Sequence, residues 1–208
     1  MRIVSGAARG RRLQAPRGKA TRPTTDRVRE AMFSSITSYL SAAGVDPDRD
    51  PWADIRVLDL FAGSGALGLE ALSRGAASVT FVERDRAAVG ALRANIDVVG
   101  LPGAHIKIAD VYRWAAMGEC AANPRSINLL IADPPYEQAA ADLQGLLGDL
   151  RDGDCCADGS LVVVERESRD TQSPFPEASH HGWGFTRIDR RTYGETCLWY
   201  GRLGSVGS

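Results

Sequence analysis

The 208-residue chain has few cysteines, three histidines and no long apolar run. The four cysteines, Cys120, Cys155, Cys156 and Cys197, include no CxxC spacing, which disfavours both a disulfide framework and a zinc site. No stretch of about 18 apolar residues occurs, so a helical membrane span is not expected. Met1–Gly6 carries none of the apolar core of a secretory signal. A reduced, cytoplasmic protein is the expectation. Internal repeats and low-complexity tracts are also missing. Hydrophobic residues make up 44% and charged residues 25%, an ordinary globular composition that argues against disorder. A chain of this size can bury about 70% of its unfolded surface without covalent staples.

A formal net charge of −1 conceals an uneven distribution. Residues 1–30 hold nine basic side chains (Arg2, Arg9, Arg11, Arg12, Arg17, Lys19, Arg22, Arg27 and Arg29) against Asp26 and Glu30, a local charge of +7, and the remainder carries −8. A basic arm on an acidic body suits a polyanionic partner, because each neutralised phosphate releases condensed counterions. Arginine outnumbers lysine eight to one in the arm, and its guanidinium fork suits phosphate contacts and base stacking. The plainer reading is a solvated basic tail. Gly6 and Gly10 lie between Arg2–Ser5 and Arg11–Gln14, a pattern compatible with a small β-hairpin. The expected division is a basic arm over residues 1–20 and a folded domain over 21–208.

Past the arm, Pro23 ends the extended segment, and Thr24 or Thr25 can cap a helix with Asp26 in its first turn. Val28, Ala31, Met32, Ser35, Ile36, Tyr39 and Leu40 recur at helical spacing, with Gly44 placed as a C-terminal cap. From Ile55 onward, short apolar runs alternate with helical patterns. The runs are Ile55–Leu60, Ser78–Glu83, His105–Ile108, Ile127–Ala132 and Leu161–Val164. Nearly continuous apolar strands separated by helices predict a doubly covered, mostly parallel α/β sheet. Phe185–Ile188 and Thr196–Tyr200 flank the turn-like Tyr193-Gly194 and predict an antiparallel hairpin closing the sheet.

Gly63-Ser64-Gly65-Ala66-Leu67-Gly68 matches GxGxxG between a strand and a helix, the context of an adenosine-containing cofactor. Glu83 ends the next strand at the distance expected for an acid that binds ribose hydroxyls. Asp59, just ahead of the loop, would repel a pyrophosphate but attract the ammonium and sulfonium of S-adenosylmethionine. The loop therefore favours S-adenosylmethionine over a nicotinamide cofactor. Asp110, after the third strand, could contact the adenine amine or simply cap a helix.

Asp133-Pro134-Pro135-Tyr136 follows the fourth strand, at the carboxyl edge where open sheets bind ligands. Two prolines remove two N–H donors and stiffen the turn. A carboxylate, acceptor carbonyls and one aromatic face remain. That set can recognise an exocyclic amine on a flat ring: Asp133 and the Pro134 carbonyl each accept an amine hydrogen, and Tyr136 stacks on a base that has left its helix. A strand-ending turn whose acid caps the next helix is the bland alternative.

These residues resemble known proteins. Asp59-Leu60-Phe61-Ala62-Gly63-Ser64-Gly65 with Asp133–Tyr136 is similar to Rossmann-like methyltransferases acting on exocyclic amines of nucleobases. With Arg22-Pro23-Thr24-Thr25-Asp26-Arg27-Val28-Arg29-Glu30 added, the chain from Arg2 to about Tyr200 resembles the RsmD family of 16S ribosomal RNA guanine-N2 methyltransferases. The resemblance implies a seven-stranded sheet, S-adenosylmethionine as cofactor and no metal. It also implies a guanine target in 16S RNA, within the small subunit or its precursor. Carried over by position, Asp133, Pro134, Pro135 and Tyr136 are the expected catalytic turn. Asp59, Phe61, Ala62, Gly63, Ser64, Gly65, Glu83, Arg84 and Asp110 are expected to hold the cofactor, with Thr25 at the pocket border. Arg2, Arg9, Arg11, Arg12 and Arg22 are expected to contact RNA. No membrane partner is expected, and a monomer is the default. Cys155, Cys156, His180 and His181 match no role in the family. The residues alone leave open an adenine-N6 methyltransferase on DNA or RNA and a non-catalytic RNA-binding module.

Overall fold

A computed structural model describes residues 1–16, 25–42, 48–118, 126–176 and 183–205. They fall into two compact units, Met1–Ala109 and Asp110–Ser208.

In the first unit, helix α1 (Asp26–Ser41) starts at Thr25, whose hydroxyl accepts the Val28 N–H at 3.3 Å. Thr24 and Gly44 lie outside the described residues. The helix ends at Ala42, in right-handed helical conformation. Val28, Met32, Phe33, Ile36 and Leu40 form its buried stripe, following the expected periodicity. Three parallel strands, β1 (Arg56–Leu60), β2 (Ser78–Glu83) and β3 (Ala104–Ile108), lie in the order β3-β2-β1. Asp59 is opposite Phe81 and Leu60 opposite Val82. Helices α2 (Ala66–Ser73) and α3 (Arg86–Val99) alternate with the strands in the chain, the arrangement that parallel pairing requires.

The N-terminal residues fold onto this unit. One antiparallel bridge, Arg2–Arg12, joins the two ends of the segment, with Ile3 N–H donating to the Arg11 carbonyl and Leu13 N–H to the Met1 carbonyl. Between them the chain leaves strand geometry and runs against α2. Ala7 N–H donates to the Ser73 carbonyl at 2.7 Å and Ala8 N–H to the Ser73 hydroxyl at 2.9 Å. Gly6 has φ +80°, and a Cβ there would stand 1.7 Å from the Ser73 carbonyl oxygen. Only glycine allows that approach. Ile3, Ala8 and Leu13 are buried.

A fully buried carboxylate fixes this packing. Glu70 on α2 accepts Val4 N–H at 2.7 Å, Ser5 N–H at 3.0 Å and Arg74 Nε at 2.9 Å. Arg29 on α1, also fully buried, stands 3.8 Å from it. Arg29 also donates to the Arg2 carbonyl and, at 2.9 Å, to Asp26.

The second unit holds α4 (Val111–Ala116), β4 (Ile127–Ala132), α5 (Ala140–Asp152), β5 (Cys156–Glu167), β6 (Trp183–Tyr193) and β7 (Thr196–Ser205). Its strand order is β4-β5-β7-β6. β4 and β5 are parallel, whereas β7 runs antiparallel to both β5 and β6. The expected C-terminal hairpin is present and longer than its apolar core suggested, turning at Gly194-Glu195. β6 is interrupted between Thr186 and Asp189, where Arg187 has φ +50°, and such a bulge bends the terminal strand of a sheet. Cys155 is disulfide-bonded, against the expectation from cysteine spacing. Burial pushes the Cys156 thiol up to about 12, so it stays protonated and unreactive.

Glu70→Ala should lower stability by about 3 kcal/mol, since removing one member of a buried ion pair strands the other. Urea denaturation measures the loss, and limited proteolysis should show new cleavage within residues 1–10.

Candidate active site

The site residues of the first unit are assembled at the end of β1. Phe61 takes φ +57°, a conformation uncommon outside glycine, directly after the strand. Ala62 N–H donates to the Val82 carbonyl at 3.2 Å and Gly65 N–H to the Ala62 carbonyl at 2.7 Å. These two bonds fold the loop back before α2 begins. Gly65, with φ +78°, is the N-cap, and a Cβ there would approach Leu92 Cδ1 to 2.2 Å. No side chain of the loop caps α2. Asp59, buried within β1, does so from below, accepting the Gly68 N–H at 2.9 Å. Its carboxylate thus fixes the helix to the strand and sets its negative charge against the positive helix end.

Glu83 closes β2 and ties three segments together. It accepts Gly63 N–H at 2.8 Å, Arg84 N–H at 2.8 Å and Asp85 N–H at 2.7 Å. A carboxylate offers about four acceptor positions, so one is left for a hydroxyl donor. A half-buried acid held rigidly beside a glycine loop fits the ribose of an adenosine-bearing cofactor. Arg84 is exposed beside it. Ser64 is buried, and its carbonyl accepts from Asn95 Nδ2 at 2.9 Å.

Thr25 caps α1 through its hydroxyl. Among the arm residues, Arg9 and Arg12 are exposed. Arg2 is exposed and 3.6 Å from Asp26. Arg11 is committed elsewhere: its Nη1 donates to the Val98 carbonyl and, at 2.8 Å, to the Val99 carbonyl, closing the C-terminus of α3. Sequence reasoning treated the five arginines alike. Arg22, His180 and His181 lie outside the described residues.

In the second unit, Asp133-Pro134-Pro135-Tyr136 leaves the end of β4. The Pro135 carbonyl accepts Gln138 N–H at 3.0 Å and closes a turn. Arg166, buried and paired with Asp170, donates to the Gln138 carbonyl at 2.7 Å. Asp133 is half-buried, and no hydrogen bond engages its carboxyl among the described residues. Loss of solvent pushes its pKa from 3.8 up to about 6, because burial disfavours the charged form. Tyr136 is exposed at 43%, leaving aromatic surface for stacking. Asp110 is the N-cap of α4, accepting Tyr112 and Arg113 N–H, both at 3.1 Å. Among the described residues no group of three His, Cys, Asp or Glu could hold a metal, and no helix is long and apolar enough to cross a membrane.

Glu70, Arg29, Asn95 and Arg166 escaped the sequence reading. Signals existed for two of them. Glu70 lies in Leu67–Ser73, every residue of which is buried, and an acid in a wholly buried helix must be paired. Asn95 falls on the stripe Ala88, Leu92, Asn95, Val99, at a heptad-like position that an apolar residue would otherwise fill.

A strand–glycine-loop–helix with a ribose-type acid, together with an Asp-Pro-Pro-Tyr turn at a strand end, defines a Rossmann-like class I methyltransferase with a seven-stranded mixed α/β sheet. A family model described as Conserved hypothetical protein 95 matches residues 1–202, and the chain belongs to that family, the RsmD family. The Escherichia coli (strain K12) protein named Ribosomal RNA small subunit methyltransferase D is 36% identical over 167 residues, 80% of this chain and 75% of its own length. The solved structure of yhhF from Escherichia coli matches with TM-score 0.73 and 30% identity, covering 99% of this chain and 98% of that one. A solved protein complexed with SAH shares the fold at TM-score 0.58 and 12% identity, over 81% of this chain and 48% of its own.

The raised pKa of Asp133 has a stability consequence. Its folded-state value exceeds its unfolded one, so the stability it contributes is full below pH 3.8 and lost as pH rises through about 6. Asp133→Asn should therefore raise the thermal midpoint more at pH 8 than at pH 5, the gain differing by about 3 °C. Calorimetric scans of both proteins at the two pH values test this.

Proposed function

We propose that this protein methylates the exocyclic N2 of a guanine in 16S ribosomal RNA, drawing the methyl group from S-adenosylmethionine. The observation that carries the proposal is the Asp133–Tyr136 turn at the end of β4 in a chain of the RsmD family. When bound, S-adenosylmethionine supplies an electrophilic methyl group on its sulfonium. Glu83 would accept from the ribose, and the backbone of Phe61 to Gly65 would hold the methionine part. Asp59 supports that loop from below, through α2. Arg84 and Asp110 are further candidate contacts of the cofactor, and Thr25 a candidate at the border of its site.

On the target side, Asp133 and the Pro134 carbonyl each accept one hydrogen of the guanine amine. The Pro135 carbonyl already serves the Gln138 N–H, which supports Pro134 as the free acceptor. Fixing both hydrogens turns the nitrogen lone pair out of conjugation with the ring and toward the methyl group. Tyr136 stacks on the extruded base. As the nitrogen–methyl bond forms, the sulfur–methyl bond would break to leave S-adenosylhomocysteine as a neutral thioether, and the nitrogen would carry one surplus proton. A ring-attached ammonium is acidic, so that proton passes to Asp133 or water without a strong base. Alignment supplies most of the acceleration. Two hydrogens can be accepted strongly only while Asp133 is ionised, so kcat/KM should fall as pH drops below about 6.

The basic residues 1–20 form the RNA-contacting arm, with Arg9 and Arg12 on phosphates and Arg2 and Arg22 as further RNA contacts. Arg11 serves mainly to hold the arm to α3. The substrate is the small subunit or its precursor, and the enzyme acts as a cytoplasmic monomer.

Asp133→Ala should reduce turnover about 100-fold or more while leaving S-adenosylhomocysteine affinity within about twofold. Transfer of tritiated methyl to naked 16S RNA, small subunits and duplex DNA, followed by nucleoside identification, tests the target. N2-methylguanosine in the RNA samples is the expected product. Label in adenine or in DNA overturns the guanine assignment, and binding without transfer to any substrate indicates a non-catalytic module. Separately, Arg9→Ala combined with Arg12→Ala should flatten the salt dependence of RNA binding, the log–log slope falling by about one per lost phosphate contact.

A further inference from the structure

The N-terminal segment and the cofactor loop meet on one side chain. Asn95 on α3 is fully buried, and its amide is shared between them. Its Oδ1 accepts the Gln14 N–H at 2.8 Å. Its Nδ2 donates to the Gln14 carbonyl at 3.0 Å and to the Ser64 carbonyl at 2.9 Å. Both amide hydrogens and the carbonyl oxygen are thereby used. Aspartate lacks the donors, and glutamine carries one methylene too many for a closed pocket. Three residues earlier, Arg11 grips the carbonyls of Val98 and Val99 at the end of the same helix. The segment is thus held along α3 at two points, and one of them also fixes the loop carbonyl between Gly63 and Gly65.

We propose that Asn95 is a positioning residue that couples RNA engagement by the N-terminal segment to the shape of the cofactor loop. The coupling rests on the reading above, in which Arg9 and Arg12 touch phosphates and Ser64 belongs to the cofactor site. RNA bound to the arm holds Gln14 against Asn95. The amide then holds the Ser64 carbonyl in place, and the loop loses less freedom when the cofactor binds. Linkage makes the effect reciprocal: cofactor tightens RNA by the same factor. An enzyme built this way favours the ternary complex over either binary one. A purely structural amide would stabilise the fold and leave the two affinities independent.

The decisive probes act on one end of the bridge and on its centre. Gln14→Pro removes the N–H that Asn95 accepts, one of its two bonds to residue 14, and leaves the Asn95–Ser64 bond in place. Asn95→Ala removes the whole bridge. Calorimetric titration with S-adenosylhomocysteine, with and without saturating naked 16S RNA, gives the coupling factor for each protein. Wild type should show a factor of about five, Gln14→Pro a clearly smaller one, and Asn95→Ala a factor near one. Hydrogen exchange at the amides of residues 63–66 should be faster in Gln14→Pro, a readout independent of any ligand. A Gln14→Pro protein with the wild-type factor and wild-type protection overturns the coupling even if Asn95→Ala fails to fold. Wild type binding RNA and S-adenosylhomocysteine independently overturns it too, and leaves the methyltransferase reading intact. Wild type binding neither ligand overturns both.

Discussion

The first unit is organised around a carboxylate in a place where water cannot reach it. Glu70 is fully buried, and an isolated charge there would cost several kcal/mol. The chain offsets that cost by surrounding it: two backbone N–H groups from residues 4 and 5, the Arg74 guanidinium one turn away, and Arg29 from α1. Each partner comes from a different part of the sequence, so satisfying one acid brings together the N-terminal segment, α1 and α2. Arg29 extends the set by reaching the Arg2 carbonyl. A basic stretch that charge alone marks as a solvated arm is thereby docked on the helix that follows the glycine loop.

That docking changes how the arginines are read. Their positive charge is uniform in the sequence, but their surroundings are not. Arg29 is consumed in the interior, Arg11 closes a helix end, and Arg9 and Arg12 face solvent. Among the described residues no acid holds the last two as Glu70 holds Arg29. A like-charged run thus separates only in the fold, some members spent on burial or on a helix end and others left facing solvent.

The Asp133–Tyr136 turn follows a similar logic. Its two prolines withdraw two donors, which leaves the turn rich in acceptors. Partial burial then lifts Asp133 toward neutral pH, where the difference between a strong and a weak hydrogen-bond acceptor is one proton. Arg166 anchors the far side of the turn through the Gln138 carbonyl, restricting its motion. No local pattern marks Arg166, because it sits on β5, far from the turn in sequence.

Periodicity and punctuation in the sequence determined the strands, the helices between them and both motifs. Apolar runs of strand length, the glycines of the loop and the prolines of the turn act on their own neighbours. The cap at Thr25 was also legible, because a capping oxygen reaches only three residues ahead. The cap at Asp110 was among the readings open from the sequence, because its bonds reach only two and three residues ahead. Tertiary structure alone decided what Asp59 bonds, which arginines are spent, and that Asn95 joins residue 14 to residue 64. Those outcomes depend on polar groups distant in the chain reaching hydrogen-bond distance out of water. A buried polar group must find a partner wherever the fold brings one, and sequence spacing carries no record of that distance.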